Sequence, residues 1–479
     1  MTSNYKSMPV FRFFEELSAV PRGSGNESGI ADFLVRFAED RSLEAVRDEA
    51  NNVLIKKKGQ NGGEQKPVLI LQSHSDMVCV KTADSRHDFL KDPIQMFEED
   101  GWLKTRGTTL GADNGIGMAM AMAVLDDGNQ SCPPLEALFT TGEETGMEGM
   151  LRFSTEQLKG RRMINLDAEG EKLLFTSCAG GTRTGLSLDC DFEEIMEPVA
   201  AYKLAVSGLR GGHSGVEIHL GKGNAIILLS RVIRELVKLG ARLCTLSGGT
   251  KENVIPSTAE AGLIFDVGSI DKMTQAVTEL QATFRNELGK NDPDAAVTLT
   301  CCEGSKKVIS ALCTEKILDM ISLIPNGALG FHADMPGETN LSSNIGVIGF
   351  DHDVLQIGLL TRSNINSKKQ EVVDTLATIA RLFHARMVIN SSYPAWEFNP
   401  DSALRDKCKE VYEKLFGTQM ELTTTHGGLE CGLMSDKVPG IDLVAFGATM
   451  EAVHSPGEKL EISSVIKCME FLNGLVNEL

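Results

Sequence analysis

Apolar residues recur at helical spacing over residues 10–20, and Pro21-Arg22-Gly23-Ser24-Gly25 ends the run. The same spacing predicts a second helix over 28–39. Residues 67–72 form a short unbroken apolar run instead, the pattern of a strand buried on both faces. Residues 135–140 and 162–166 are read as further strands. A stretch rich in Ala, Met and Gly at 114–125 predicts a helix packed closely on the sheet. Strands alternating with helices predict an α/β fold with a mostly parallel sheet. From residue 201 the pattern changes. Strands at 201–206, 242–246, 258–267 and 296–301 and helices at 224–239 and 272–288 follow the order β-α-β-β-α-β, the split ferredoxin-like unit. A helix at 315–323, strands at 341–349 and 354–360 and a helix at 370–385 come next, so the region holds more than one such unit. After Pro394 the α/β pattern resumes, with a helix at 402–415, a strand at 441–446 and a last helix at 463–477. The expected organisation is a discontinuous α/β domain over 1–187 and 393–479, with an α+β ferredoxin-like domain inserted at 188–392.

Composition narrows the function classes. A chain of 479 residues is too long for one ordinary core, which agrees with two domains. With 42% apolar and 24% charged residues it reads as globular. The formal net charge of −19 disfavours nucleic acid and anionic membranes as partners. The first twenty residues contain no long apolar run, so neither a signal peptide nor a membrane span is expected. Eleven scattered cysteines without a CxxC pair argue against a disulfide framework and against cysteine-held zinc, and favour a reducing cytosol.

Candidate chemistry gathers where predicted strands end. His74 lies in Ser73-His74-Ser75-Asp76, Glu144 in Gly142-Glu143-Glu144-Thr145-Gly146, and Asp167 follows Asn165-Leu166. His454 lies in Val453-His454-Ser455-Pro456, and the apolar strand 441–446 leads towards it. Asp113, in Gly111-Ala112-Asp113-Asn114-Gly115, stands at the mouth of a helix. The flanking glycines permit tight turns and close backbone approach. Open parallel sheets bind ligands beyond the carboxyl ends of their strands. Taken singly, each residue has an ordinary alternative: a satisfied core histidine, a helix cap at Asp113, a solvated turn at Glu143-Glu144. Taken together, two imidazoles and three carboxylates suit zinc, cobalt or manganese better than calcium or magnesium. Glu143 stands beside a candidate ligand and can serve as a base. Asp76, two residues after His74, can hold the second nitrogen of a metal-bound imidazole. The set points to metal-assisted hydrolysis.

In this order the motifs His-x-Asp, Gly-Ala-Asp-Asn-Gly, Glu-Glu, Asp and a distant His resemble the dinuclear zinc aminopeptidase and carboxypeptidase clan, and within it the family of carnosinase, aminoacylase and bacterial dipeptidases and tripeptidases. The resemblance spans the whole chain, with the inserted domain as a lid. It implies two divalent ions, zinc first and cobalt or manganese next. Asp113 would bridge them, His74 and Asp167 would complete one site, and Glu144 and His454 the other. It implies Glu143 as general base and Asp76 as the group that orients His74. For the lid it implies His213 in Gly211-Gly212-His213-Ser214-Gly215 as an oxyanion contact, with His219 in the same loop as the alternative. It implies Asn253 and Arg362 as substrate contacts, Arg362 gripping a free carboxylate, and Gly427 in His426-Gly427-Gly428-Leu429-Glu430 as part of the substrate pocket. The implied activity is hydrolysis of short peptides with a free C-terminus, dipeptides ending in histidine foremost. A tripeptidase or an N-acyl amino acid deacylase on the same scaffold is the runner-up. A catalytically dead binding or assembly protein is disfavoured, because Glu143 and all five ligands are present. The implied partner is a small peptide, and a homodimer follows if a second chain supplies His213.

Overall fold

A computed structural model of the chain describes residues 5–195, 200–304 and 307–479. Two compact units divide it. The first comprises Met1–Cys178, Trp396–Thr424 and Leu429–Leu479, and the second Ala179–Ala395 and Thr425–Gly428.

The first unit is built on an eight-stranded sheet. Four central strands, Leu135–Thr140, Leu69–His74, Arg162–Asn165 and Asp442–Ala445, run parallel. Strands Val53–Lys57 and Leu173–Cys178 flank them in antiparallel sense. The orientation is therefore mixed, with the parallel part at the centre. Every residue of Leu69–His74 and of Leu135–Thr140 is buried, the polar Gln72, Ser73, His74, Glu136 and Thr140 included. The Ala/Met/Gly-rich helix Ala112–Asp126 is buried on all sides, and its small residues let it lie close to the sheet. Helices Pro9–Ser18 and Ile462–Glu478 each bury an apolar face in the same core. A separate four-stranded sheet joins Met96–Glu99 and Trp102–Thr105 to Lys459–Glu461 and Met450–Glu451. Asp100-Gly101, both at positive φ, make its tight turn.

The main sheet of the second unit is nine-stranded and antiparallel, and it contains two ferredoxin-like modules side by side. Strands Ala296–Cys302, Ala200–Ser207, Ala259–Phe265 and Arg242–Gly249 lie in the order 4-1-3-2, with helices Ala225–Lys238 and Ile270–Leu288 as the crossovers. Asn224 caps the first of these helices by accepting from the Ile226 and Ile227 N–H groups. The other module uses Gly180–Asp189 as its first strand. Helix Ala311–Leu323, strands Thr339–Asp351 and Val354–Ser363, helix Asn366–Phe383 and strand Arg386–Tyr393 complete it. Its spatial order, 2-3-1-4, is 4-1-3-2 read from the other edge. The first module is thus inserted between the first strand of the second and its remainder. Gly248 and Gly249 pair with Ile348 and Val347 to fuse the two.

This nesting corrects the expected boundaries. The first division falls after Cys178 rather than after residue 187, because Gly180–Asp189 pairs along its whole length with Val354–Ser363. The second falls after Ala395 rather than 392, because Arg386–Tyr393 forms the outer strand of the same sheet. Thr425–Gly428, and with it Gly427, belongs to the second unit although it lies within 393–479.

Candidate metal centre

In the first unit the fold brings His74, Asp113, Glu144, Asp167 and His454 together. Three groups of donor atoms are each close enough to share an ion: His74, Asp113 and Asp167; Asp113, Glu144 and His454; and His74, Glu143 and Glu144. His74 is the last residue of its strand and is almost wholly buried. Its Nε2 lies 3.1 Å from Asp113 Oδ1 and 3.4 Å from Asp167 Oδ1. His454 Nε2 lies 3.1 Å from the other Asp113 oxygen, Oδ2, and 2.9 Å from Glu144 Oε1. Asp113 therefore turns one oxygen to each imidazole.

Two carriers differ from expectation. Asp113 does not cap a helix: its φ of −82° and ψ of 110° are extended, and regular helix begins only at Gly115. Asn114, between them, donates to the Leu166 carbonyl at 3.2 Å and to Asp167 Oδ1, tying the Asp113 and Asp167 loops together. His454 does not stand at the end of the central strand. The chain passes from Asp442–Ala445 into the smaller sheet, and His454 sits in the loop between Met450–Glu451 and Lys459–Glu461. It is half exposed, and its φ of +62° is a left-handed conformation that costs a non-glycine residue energy.

Asp76 does more than the His-x-Asp spacing suggests. Its Oδ1 lies 3.3 Å from His74 Nδ1 and accepts the Glu143 N–H at 3.0 Å. Its Oδ2 accepts from Ser24 Oγ at 2.8 Å and from the Glu144 N–H at 3.3 Å. One buried carboxylate thus orients an imidazole and fixes the turn that presents both glutamates. Burial alone would raise its pKa; the bonds to His74, Ser24 and Glu143 outweigh burial and hold it at about 2.

The electrostatics mark a site that attracts cations. Burial works against a charged His74, yet Asp167, Asp113 and Asp76 overcome it and raise the imidazole well above its usual value. Bonds to Asp113 and Glu144 lift His454 to about 10. Burial pushes Glu143 well above the carboxylate range, and Asp167, Glu430 and Glu144 add to the push. Clustered carboxylates hold positive charge on both imidazoles, and a divalent ion supplies that charge directly.

Three buried ionisable residues that support this centre were not singled out as site residues. Glu430 is fully buried. Its Oε2 accepts from Gln72 Nε2 and Thr140 Oγ1, each at 2.5 Å. Gln72 Oε1 accepts from Asn165 Nδ2, and Asn165 Oδ1 accepts the Asp167 N–H at 3.1 Å. The chain of bonds runs across three parallel strands to the backbone of Asp167. Burial raises the Glu430 carboxyl to about 8. Arg22 and Glu458 are the other two. The only sequence signal for Arg22 was its place in a helix-ending Pro-Arg-Gly turn, and Glu458 follows the His454 motif by two residues.

The remaining candidates belong to the second unit. Strand Gly212–His213 pairs with Val254–Ile255, beside Asn253, whose carbonyl accepts the Ser214 N–H. His213 Nδ1 accepts the Gly215 and Val216 N–H groups at 3.3 Å, so the neutral ring carries its proton on Nε2. Burial and Arg362 both lower its pKa, which keeps the ring neutral. His219 is exposed in a short turn. Arg362 is buried, and its Nη1 donates to Tyr393 Oη at 3.1 Å and to the His426 carbonyl at 3.5 Å. His426 Nε2 accepts from Ser342 Oγ at 2.7 Å, while Nδ1 donates to Asn364 Oδ1 at 3.3 Å. Burial and the nearby Arg362 depress it to about 3. Gly427 donates its N–H to Thr425 Oγ1 at 3.0 Å.

An α/β unit that gathers two imidazoles and several carboxylates into one cluster beside its central strands defines a metal-dependent hydrolase. The Peptidase family M20/M25/M40 matches residues 70–478, and the chain belongs to this family of metallopeptidases. It is 35% identical over 478 residues to the cytosol non-specific dipeptidase of Escherichia coli (strain K12), covering 100% of this chain and 99% of that protein. It is similar in structure to the aminoacylhistidine dipeptidase from Vibrio alginolyticus, with a TM-score of 0.92 and 32% identity over 100% of this chain and 98% of that one. The aminopeptidase PepT from Bacillus cereus shares the fold at 16% identity, with a TM-score of 0.57 and 99% and 98% of the two chains covered. Among the described residues, no helix is long and apolar enough to cross a membrane.

Proposed function

We propose that the chain hydrolyses dipeptides that carry a free C-terminal carboxylate, with histidine the favoured C-terminal residue. The observation that carries the metal half is Asp113, one oxygen turned to His74 and the other to His454. The donor set fits two ions: His74 and Asp167 with Asp113 for one, and Glu144 and His454 with Asp113 for the other. Imidazole and carboxylate donors favour zinc, with cobalt or manganese as substitutes. Bound there, the ions would polarise the scissile carbonyl and lower the pKa of a water molecule.

The protein's own groups do the rest. Glu143 takes a proton from the attacking water and returns it to the leaving amine. Asp76 holds His74 and the Glu143-Glu144 turn in place. His213, with its proton on Nε2, donates to the oxyanion that develops on the carbonyl oxygen. Arg362 pairs with the substrate carboxylate, and its contacts with Tyr393 and the His426 carbonyl fix the guanidinium beforehand. Asn253 and Gly427 complete the substrate contacts. In this reading the second unit is the lid of the catalytic first unit.

The dipeptide class is the one shared by the names of the E. coli and Vibrio relatives, one called non-specific and the other aminoacylhistidine. A cytosolic setting follows the E. coli name. Metal-stripped protein should be inactive and recover with zinc, cobalt or manganese. With metal restored, a panel of β-Ala-His, other Xaa-His and Xaa-Xaa dipeptides, a tripeptide and an N-acetyl amino acid should show the highest kcat/KM on an Xaa-His dipeptide. Faster turnover of the tripeptide or the N-acetyl amino acid overturns the substrate assignment. A homodimer enters if a second copy supplies His213. Mixing His213→Ala with Glu143→Ala protein then restores activity, which a site within one chain cannot do.

A further inference from the structure

Glu458 and Arg22 are 3% and 1% exposed, and neither is a candidate ligand or substrate contact. Glu458 Oε2 accepts the N–H groups of Leu110 at 2.7 Å and Gly111 at 3.0 Å, and its Oε1 accepts those of Ala112 at 2.8 Å and Asp113 at 3.4 Å. Four consecutive backbone donors, just ahead of the regular helix that begins at Gly115, thus converge on one carboxylate. Arg22 reaches the same segment. Its Nη2 donates to the Gly111 carbonyl, and its Nη1 to the carbonyls of Ser75 at 3.2 Å and Asp76 at 3.1 Å. Its own carbonyl accepts the Met77 N–H at 3.1 Å. One guanidinium therefore joins the loop that carries Asp113 to the turn that follows His74.

The glycines of Gly111-Ala112-Asp113-Asn114-Gly115 make room for this arrangement. A Cβ on Gly111 would lie 2.7 Å from Met77 Sδ and 2.8 Å from Arg22 Nη2, at a φ of +67°. A Cβ on Gly115 would collide with Arg22 Nη2 and stand 2.9 Å from Phe14 Cε2. Gly115 is not left-handed, so its lack of a side chain serves space rather than backbone conformation.

We propose that Arg22 and Glu458 are positioning residues that preset the Asp113 loop and the His74 turn before metal arrives. The inference rests on the reading of His74 and Asp113 as metal ligands. A ligand held in place loses less conformational freedom on binding, so releasing it weakens the metal rather than the chemistry alone. Glu458 acts on Asp113 through the backbone, and Arg22 fixes the distance between the two ligand loops.

The test uses full-length, metal-stripped protein titrated with Co2+ against a competing chelator, with the visible cobalt spectrum recorded at each step. Glu458→Gln and Gly115→Ala should bind Co2+ about 10–100-fold more weakly than wild type and show an altered spectrum, while far-UV circular dichroism stays native. Glu458→Asp, which keeps the charge, should recover part of the affinity. Native-like Glu458→Gln and Gly115→Ala proteins with wild-type affinity and spectrum overturn the proposal. If Glu458→Gln does not fold, Gly115→Ala and Arg22→Lys decide it by the same titration. Asp113→Asn separates the two readings. Should it bind Co2+ as wild type does, the ligand assignment itself falls. Should it lose the metal while Glu458→Gln and Gly115→Ala keep it, only the positioning role falls.

Discussion

Asp76→Asn is the substitution whose cost can be worked most directly from the geometry. Each Asp76 oxygen serves two partners: His74 and the Glu143 N–H at Oδ1, Ser24 and the Glu144 N–H at Oδ2. All four can donate. An asparagine keeps one oxygen and puts an NH2 group where the other stood, so either orientation of the amide turns a donor towards two donors. Hydrogen bonds to a charged group contribute about 1.5–3 kcal/mol each, which puts the loss of two at about 3–6 kcal/mol. Part of that appears as weaker metal binding, since loss of a carboxylate behind a metal-bound imidazole costs about 10–100-fold in affinity, or about 1.4–2.8 kcal/mol. The remainder appears as a lower first thermal transition of the metal-free protein. Both are measurable, by zinc titration against a chromophoric chelator and by thermal unfolding with and without metal. A variant with affinity within threefold of wild type and an unshifted transition refutes the view that one carboxylate holds both the imidazole and the glutamate turn.

Glu143→Ala should lower kcat by about 10²–10⁴-fold while zinc affinity, measured by the same titration, stays near wild type. Arg362→Ala should raise KM for a free dipeptide by about 10–100-fold and leave a carboxyl-amidated dipeptide nearly unchanged; equal losses on both argue against a carboxylate contact. Asn224→Ala removes a helix cap and a bond to the Ile345 carbonyl in the second unit, and should lower that unit's stability by at least about 1 kcal/mol in chemical denaturation without changing zinc affinity.

Local pattern carries far along this chain where burial alone decides an element. The strands at 67–72 and 135–140 could be read because strands buried on both faces are mostly apolar; the few polar side chains they carry, Gln72, Glu136 and Thr140, are buried as well. Part of the centre was legible for a related reason: His74 ends a buried strand, and Glu144 and Asp167 follow closely on two others. By itself, then, the sequence determined the alternation of elements and the chemical kinds available at their ends.

Pairing between distant segments leaves no such mark. Strand Gly180–Asp189 could be assigned to the second unit only through its partners, Val354–Ser363 and Arg386–Tyr393, more than 160 residues away. The split of Asp113's two oxygens between His74 and His454, the convergence of four N–H groups on Glu458 and the reach of Arg22 into the Asp113 loop are likewise decided by tertiary structure alone. The physical reason is that a hydrogen bond depends on where two chain segments meet. Hydrophobic periodicity records which side of an element faces the core, but not which remote backbone amide or carbonyl lies across from it.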